Sequence, residues 1–131
     1  MPALDTLPPL FDDDETPLWR IFLDPRGRID RRGYWLYGVV ALLALAALAN
    51  ALLGIAQFPR DKSEPVINVL LTWPAVAISA KRWHDEDKSA WWVLVVFVPV
   101  LGWLWALAHN GFVRGTPGAN RFGAAPALPT Q

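Results

Sequence analysis

Cysteine is absent from the 131-residue chain. Disulfides, thiolate nucleophiles, zinc–thiolate sites and iron–sulfur ligation are therefore excluded. Histidine occurs only twice, as His84 and His109. Zinc wants three or four convergent ligands, so no metal site is expected. The first 17 residues hold five acids and no base, with prolines at positions 2, 8, 9 and 17. Such a segment buries little apolar surface and is expected to be a disordered acidic tail. It lacks the basic and apolar stretches of a cleavable signal peptide, and none is expected. The most informative absence is of charge. No Asp, Glu, Lys or Arg interrupts Gly33–Pro59, Pro65–Ala80 or Ser89–Val113, runs of 27, 16 and 25 residues.

A bilayer core takes about 20 apolar residues of helix to cross. Two runs reach that length, and the middle one reaches it if Lys81 and Arg82 snorkel to the headgroups. Eight tryptophans agree with this, because Trp is favoured where lipid meets water. The expected fold is an all-α membrane protein with three transmembrane helices, at about 32–56, 65–83 and 90–112. Leu18–Ile29, with Pro25 and Gly27 as helix breakers, is expected to lie in the interface before the first helix. Pro65 suits the first turn of the second helix, Pro74 should kink it, and Pro99 with Gly102 should bend the third. The chain thus divides into a tail (1–17), a membrane domain (18–126) and a flexible end (127–131).

Basic residues set the orientation. Eight (Arg20, Arg26, Arg28, Arg31, Arg32, Lys81, Arg82, Lys88) lie on one side of these helices and four (Arg60, Lys62, Arg114, Arg121) on the other. The positive-inside rule then places the N-terminus in the cytoplasm and the C-terminus in the periplasm. On that topology His84 and His109 face opposite sides. A competing geometry turns the third run back at Pro99 to Gly102 as a re-entrant hairpin, which returns the tail to the cytoplasm.

Small and polar residues recur at helical spacing: Ala46, Asn50 and Gly54; Asn68, Thr72, Ala75 and Ser79; Gly102, Ala106 and Asn110. In lipid, close backbone approach and interhelical hydrogen bonds drive association, so these stripes are expected to face one another. The alternative, a permeation path, would require an oligomer, since three helices enclose no useful lumen.

The densest polar segment is Lys81–Trp92, KRWHDEDKSAWW. Its structural reading is ample: the bases hold topology, the tryptophans mark the interface, and Ser89 caps the third helix. Its functional reading is a cytoplasmic contact for an anionic lipid or a partner. The candidate residues are Arg28, Arg31, Arg32, Lys81, Arg82, His84, Asp85 and Lys88, with Arg31 and Arg82 as the foremost phosphate or carboxylate ligands.

Three motifs give the chain a relationship. Gly27-Arg28-Ile29-Asp30-Arg31-Arg32-Gly33-Tyr34-Trp35 resembles the opening of the bacterial inner-membrane family catalogued as domain of unknown function 805 (YhaH-type). Lys81-Arg82-Trp83-His84-Asp85 with Lys88-Ser89-Ala90-Trp91-Trp92 resembles its central block, and Gly115-Thr116-Pro117-Gly118-Ala119-Asn120-Arg121-Phe122-Gly123 its closing one. Trp83 replaces a usual Leu, Asp87 and Ala90 replace usual glycines, and Gly33 stands where an acid is common. The resemblance covers about residues 18–126. It implies an inner-membrane location and three helices, and it brings no activity.

The expected function is that of a small integral inner-membrane protein without enzymatic activity. It would act through helix and headgroup contacts, as an oligomer or an accessory subunit of a larger complex. The alternatives are a small transporter or channel component and a lipid-modifying enzyme using His84 and Asp85. Expected partners are the bilayer with anionic lipids and a membrane protein or a second copy. No cofactor and no nucleic acid are expected.

Overall fold

A computed structural model describes residues 17–126. The acidic tail, apart from Pro17, and the end at 127–131 lie outside them. Among the described residues the fold is helical, with no strand. Helix α1 is Leu18–Leu23. Helix α2, Arg31–Ile55, is long and apolar enough to cross a membrane. It starts where Asp30 caps it, the carboxylate accepting from Gly33 N at 2.8 Å. Tyr34–Ala41 winds loosely, with i→i+5 hydrogen bonds, before α geometry resumes over Leu42–Ile55.

Helix α2 ends in a Schellman turn. Gln57 takes the left-handed conformation (φ 56°), and Phe58 N donates back to Leu53 O at 2.9 Å. Helix α3, Arg60–Asp85, begins five residues earlier than Pro65, entered through extended Pro59. Asp61 in its first turn suits the positive end of the helix dipole. The helix continues through both Pro65 and Pro74.

The α2–α3 core is Ile29, Tyr34, Leu42 and Ile78, with Phe22 and Leu71 packed against it. Gly38 permits the approach, since a β-carbon there would meet Ile78 Cγ2 at 2.9 Å. Helix α3 buries Ser63, Ile67, Ala77 and Ile78, whereas Asn68, Thr72 and Ala75 are exposed. The face of α3 expected to pack is therefore the outer one. Thr72 turns its hydroxyl onto Asn68 O at 2.7 Å, and Asn50 donates to Ala46 O at 2.8 Å, so these polar groups satisfy their own helices. Gly54 is exposed, Ser79 and Ala46 are half-buried, and Gly102, Ala106 and Asn110 are buried.

The third apolar run is not one spanning helix. It is a 3-10 helix, Ala90–Phe97, then a tight turn and helix α4, Leu101–Phe112. The turn centres on Val100 (φ 61°, ψ −66°), with Leu101 N donating to Pro99 O at 2.7 Å, a γ-turn. Pro99 has no N–H for a continuing helix, and it disfavours α geometry at Val98. The halves run antiparallel: Trp103 Nε1 donates to Val96 O at 2.6 Å, and Trp92 lies 5.7 Å from Trp105. Gly102 makes the fit possible, because a β-carbon would overlap the Val95 carbonyl. Three transmembrane helices are thus replaced by two long helices and a hairpin. With the hairpin closed, the segment after α4 returns to the end of the helix pair that carries Gly27–Asp30. The segment after α4 and the segment before α2 thus share one end of the helix pair, where the expected three-helix topology had put them at opposite ends.

Candidate functional site

The three polar motifs meet in one place. Helix α3 stops at Asp85 in a second Schellman turn, with Lys88 N on Trp83 O at 2.9 Å and Asp87 left-handed at φ 58°. Asp tolerates that conformation better than most residues. The turn sets Arg82, Asp85 and Glu86 on one face. Asp85 accepts from Arg82 at 2.9 Å through one carboxylate oxygen, and it pairs with Arg28 at 2.9 Å through the other. Arg82 also lies 3.3 Å from Glu86, and both guanidiniums are buried, at 0% and 2% side-chain exposure. An ion pair this buried offsets its desolvation only if the remaining donors are also satisfied.

They are satisfied by carbonyls at loose ends. Arg82 donates to Asn110 O at 2.6 Å and to Val113 O, while Arg31 reaches Phe112 O at 3.2 Å and Trp35 Nε1 reaches Gly111 O at 3.0 Å. These are last-turn carbonyls of α4 and its exit, which have no helical partner and attract cations. Arg28 donates to Thr116 O at 2.7 Å and Gly118 O at 2.6 Å. Lys81, expected at the headgroups, is buried and donates to Arg20 O and to Ile21 O (3.1 Å), closing the end of α1.

The closing motif folds over the end of α3. Thr116 N donates to Asp85 O at 2.6 Å, and Asn120 Nδ2 to His84 O at 2.8 Å. Phe122 stacks on the His84 ring at 3.9 Å and 8°, and Arg121 pairs with Asp87 at 3.1 Å. A β-carbon at Gly115 would overlap the Asp85 carboxylate. His84 Nδ1 meets Gly27 O at 3.0 Å. Burial, with a smaller contribution from Arg121, holds His84 below its ordinary value against the pull of that carbonyl. Burial pushes Asp85 up, opposed chiefly by the hydrogen bond from Arg28. Nearer the chain start, Asp24 is held at about 2 by its side-chain and backbone hydrogen bonds from Arg26.

Beside this lock lies an aromatic wall. Trp83, Trp92 and Trp105 have centroids 5.6 to 5.9 Å apart, and Lys88 sits 5.4 Å over Trp83. His109 lies against Trp105 at 4.8 Å. Its Nε2 accepts from Lys88 at 3.1 Å, and its Nδ1 faces Glu86 at 2.7 Å, close but poorly aligned. His109 is therefore at the same end as His84, not across the membrane from it. Neighbouring His84 and Asp85 point to different partners, Gly27 with Phe122 and Arg28 with Arg82, and do not form an acid–base pair.

Of the eight candidate contact residues, Arg28, Lys81, Arg82, His84 and Asp85 are engaged internally, with buried side chains for four of them and a buried guanidinium for Arg28. Lys88 is part-buried, and only Arg31 and Arg32 are exposed. The sequence reading missed Thr116, Asn120 and Phe122 as members of the cluster. The closing motif was the available signal, but the three-helix topology put it on the far side.

Motifs that converge in space are what a family signature would preserve, and the chain matches the family described as Protein of unknown function (DUF805) over residues 22–124. The chain belongs to the DUF805 family. Among DUF805 relatives, it is similar to the inner membrane protein YhaH of Escherichia coli K12, 36% identical over 109 residues, covering 79% of this chain and 87% of YhaH. It is also similar to the inner membrane protein YhaI of the same strain, 32% identical over 104 residues, covering 76% and 83%. The uncharacterized protein YiiR is 30% identical over 111 residues, covering 80% and 66%. No solved structure matches this DUF805 chain.

Proposed function

We propose that this DUF805 protein is a non-enzymatic integral protein of the bacterial inner membrane that acts by contact, as its own oligomer or as an accessory subunit. Both described chain ends face the cytoplasm. One observation carries the reading. The motif residues hold one another, the hairpin and the closing segment in place, while the long helices present apolar faces outward. Leu45, Leu48 and Leu52 on α2 and Val66, Val69 and Leu70 on α3 are all more than half exposed. These faces are the working surface, toward lipid and toward a partner.

The hairpin supports the orientation. With Arg114 and Arg121 returned to the motif end, only Arg60 and Lys62 of the twelve Lys and Arg lie at the other end. That asymmetry exceeds the one a three-helix topology would give.

The test is purification at native expression level in mild detergent, with photo-crosslinkers at Leu48 and Val69. Stoichiometric adducts to one protein or to a second copy are expected. A lone monomer without adducts sinks the contact role. A reporter active only in the cytoplasm, fused after Gln131, should be active, and silence there overturns the orientation.

A further inference from the structure

Two motif arginines are left over from the lock. Arg31 has a single internal partner, Phe112 O at 3.2 Å, and Arg32 has none among the described residues. Neither pairs with a carboxylate among those residues, in contrast to Arg28 and Arg82. They stand at the mouth of an open groove of about 490 Å³, lined further by Trp35, Leu36, Val40 and Gly111. That volume falls within the roughly 300–1,000 Å³ of ligand sites.

The groove is built rather than incidental. Trp35 is pinned by its hydrogen bond to Gly111 O at 3.0 Å and by Phe112 at 5.8 Å. Gly111 lets the Trp35 ring lie against α4, since a β-carbon there would sit 2.7 Å from that ring. Down α2, Arg32, Leu36 and Val40 follow at four-residue steps and all three line the groove, so an apolar floor continues along the helix below the cations. Two guanidinium forks above an apolar channel match a phosphodiester above an acyl chain.

We propose that this groove binds one anionic glycerophospholipid, with its phosphate on Arg31 and Arg32 and an acyl chain along Trp35, Leu36 and Val40. The proposal rests on the reading that the motif end lies at the membrane surface. It does not depend on a protein partner. Arg60 and Lys62, the bases at the other end, are not among the residues that line this groove and serve as the internal control.

The experiment is native mass spectrometry and thermal melting of the full chain in neutral detergent. Phosphatidylglycerol, phosphatidylcholine and inorganic phosphate are titrated separately. One retained phosphatidylglycerol and a raised melting temperature are expected, with neither effect from phosphatidylcholine or phosphate. Arg31→Gln with Arg32→Gln should weaken retention about thirtyfold, the value for two cations at a membrane surface. Arg32→Gln alone breaks no contact among the described residues, so it keeps the test valid if the double variant misfolds. Val40→Trp should block the chain end of the groove, and Arg60→Gln with Lys62→Gln should change nothing. Equal retention of both lipids overturns the proposal, as does an equal effect of phosphate alone. Selectivity that appears only after removal of residues 1–16 also overturns it, naming the acidic segment as the occupant. Loss of lipid selectivity with the Leu48 and Val69 adducts intact would sink the groove and leave the contact role standing.

Discussion

The two halves of the helix pair are built by different means. In the half that bears the motifs, α3 buries every residue from Ala80 to Asp85, and α1, the hairpin and the closing segment surround it. In the other half, α2 beyond Leu42 and α3 before Leu71 bury only Ser63 and Ile67. One half is held by buried ion pairs and capped carbonyls, the other by two helices and whatever lies around them. Polar specificity is concentrated where the chain is crossed several times, and the bare half relies on its surroundings for its apolar faces.

Asp85→Ala should sharpen this contrast most. It strands two buried guanidiniums and should destabilise the protein by about 3–5 kcal/mol, read as a lower melting temperature and early proteolysis after Val113. Arg60→Ala, at the other end, should stay within about 0.5 kcal/mol. If the two variants melt alike, the halves do not differ as described.

Glycines offer a second comparison. Gly102→Leu forces a side chain into the Val95 carbonyl and should cost about 1–3 kcal/mol. Gly54→Leu faces open space and should be neutral or slightly stabilising, because Gly is a poor helix former. Equal effects on melting in detergent would mean that the hairpin does not close.

A smaller effect comes from pH. His84 is held below its ordinary value in the folded chain, so the unfolded chain takes up a proton first as pH falls below about 6.5. The stability contributed by neutral His84 is present above that point and is lost as pH falls through the folded value. Melting temperature should therefore decline between pH 7.5 and 5.5. His84→Gln should flatten the decline while Arg60→Ala leaves it. A decline unchanged in His84→Gln assigns it to other groups.

Much of this architecture was legible in the residues. The uncharged run from Gly33 locates α2, and Pro25 with Gly27 end α1. The third run was harder, because an apolar stretch with Pro99 at its centre reads alike as a bent helix and as a hairpin. What separates them is Gly102 against Val95 and the tryptophan stacking, which are pairings across the turn and leave no local periodicity. The cluster was half legible. Its residue types stood out, but Arg82 and Arg28 were read as free cations. Their partners are main-chain carbonyls on distant segments, and carbonyls carry no sequence signal.

The γ-turn at Val100 sets how deep the hairpin can go. Eight residues of 3-10 helix span about 16 Å and twelve of α-helix about 18 Å, close to half of a core about 30 Å thick. In a bilayer, on the orientation proposed above, the protein would displace lipid unequally: α1, α2, α3 and both hairpin arms would crowd one leaflet, and two helices would occupy the other. A body tapered in that way fits most easily where the crowded leaflet is the expanded one.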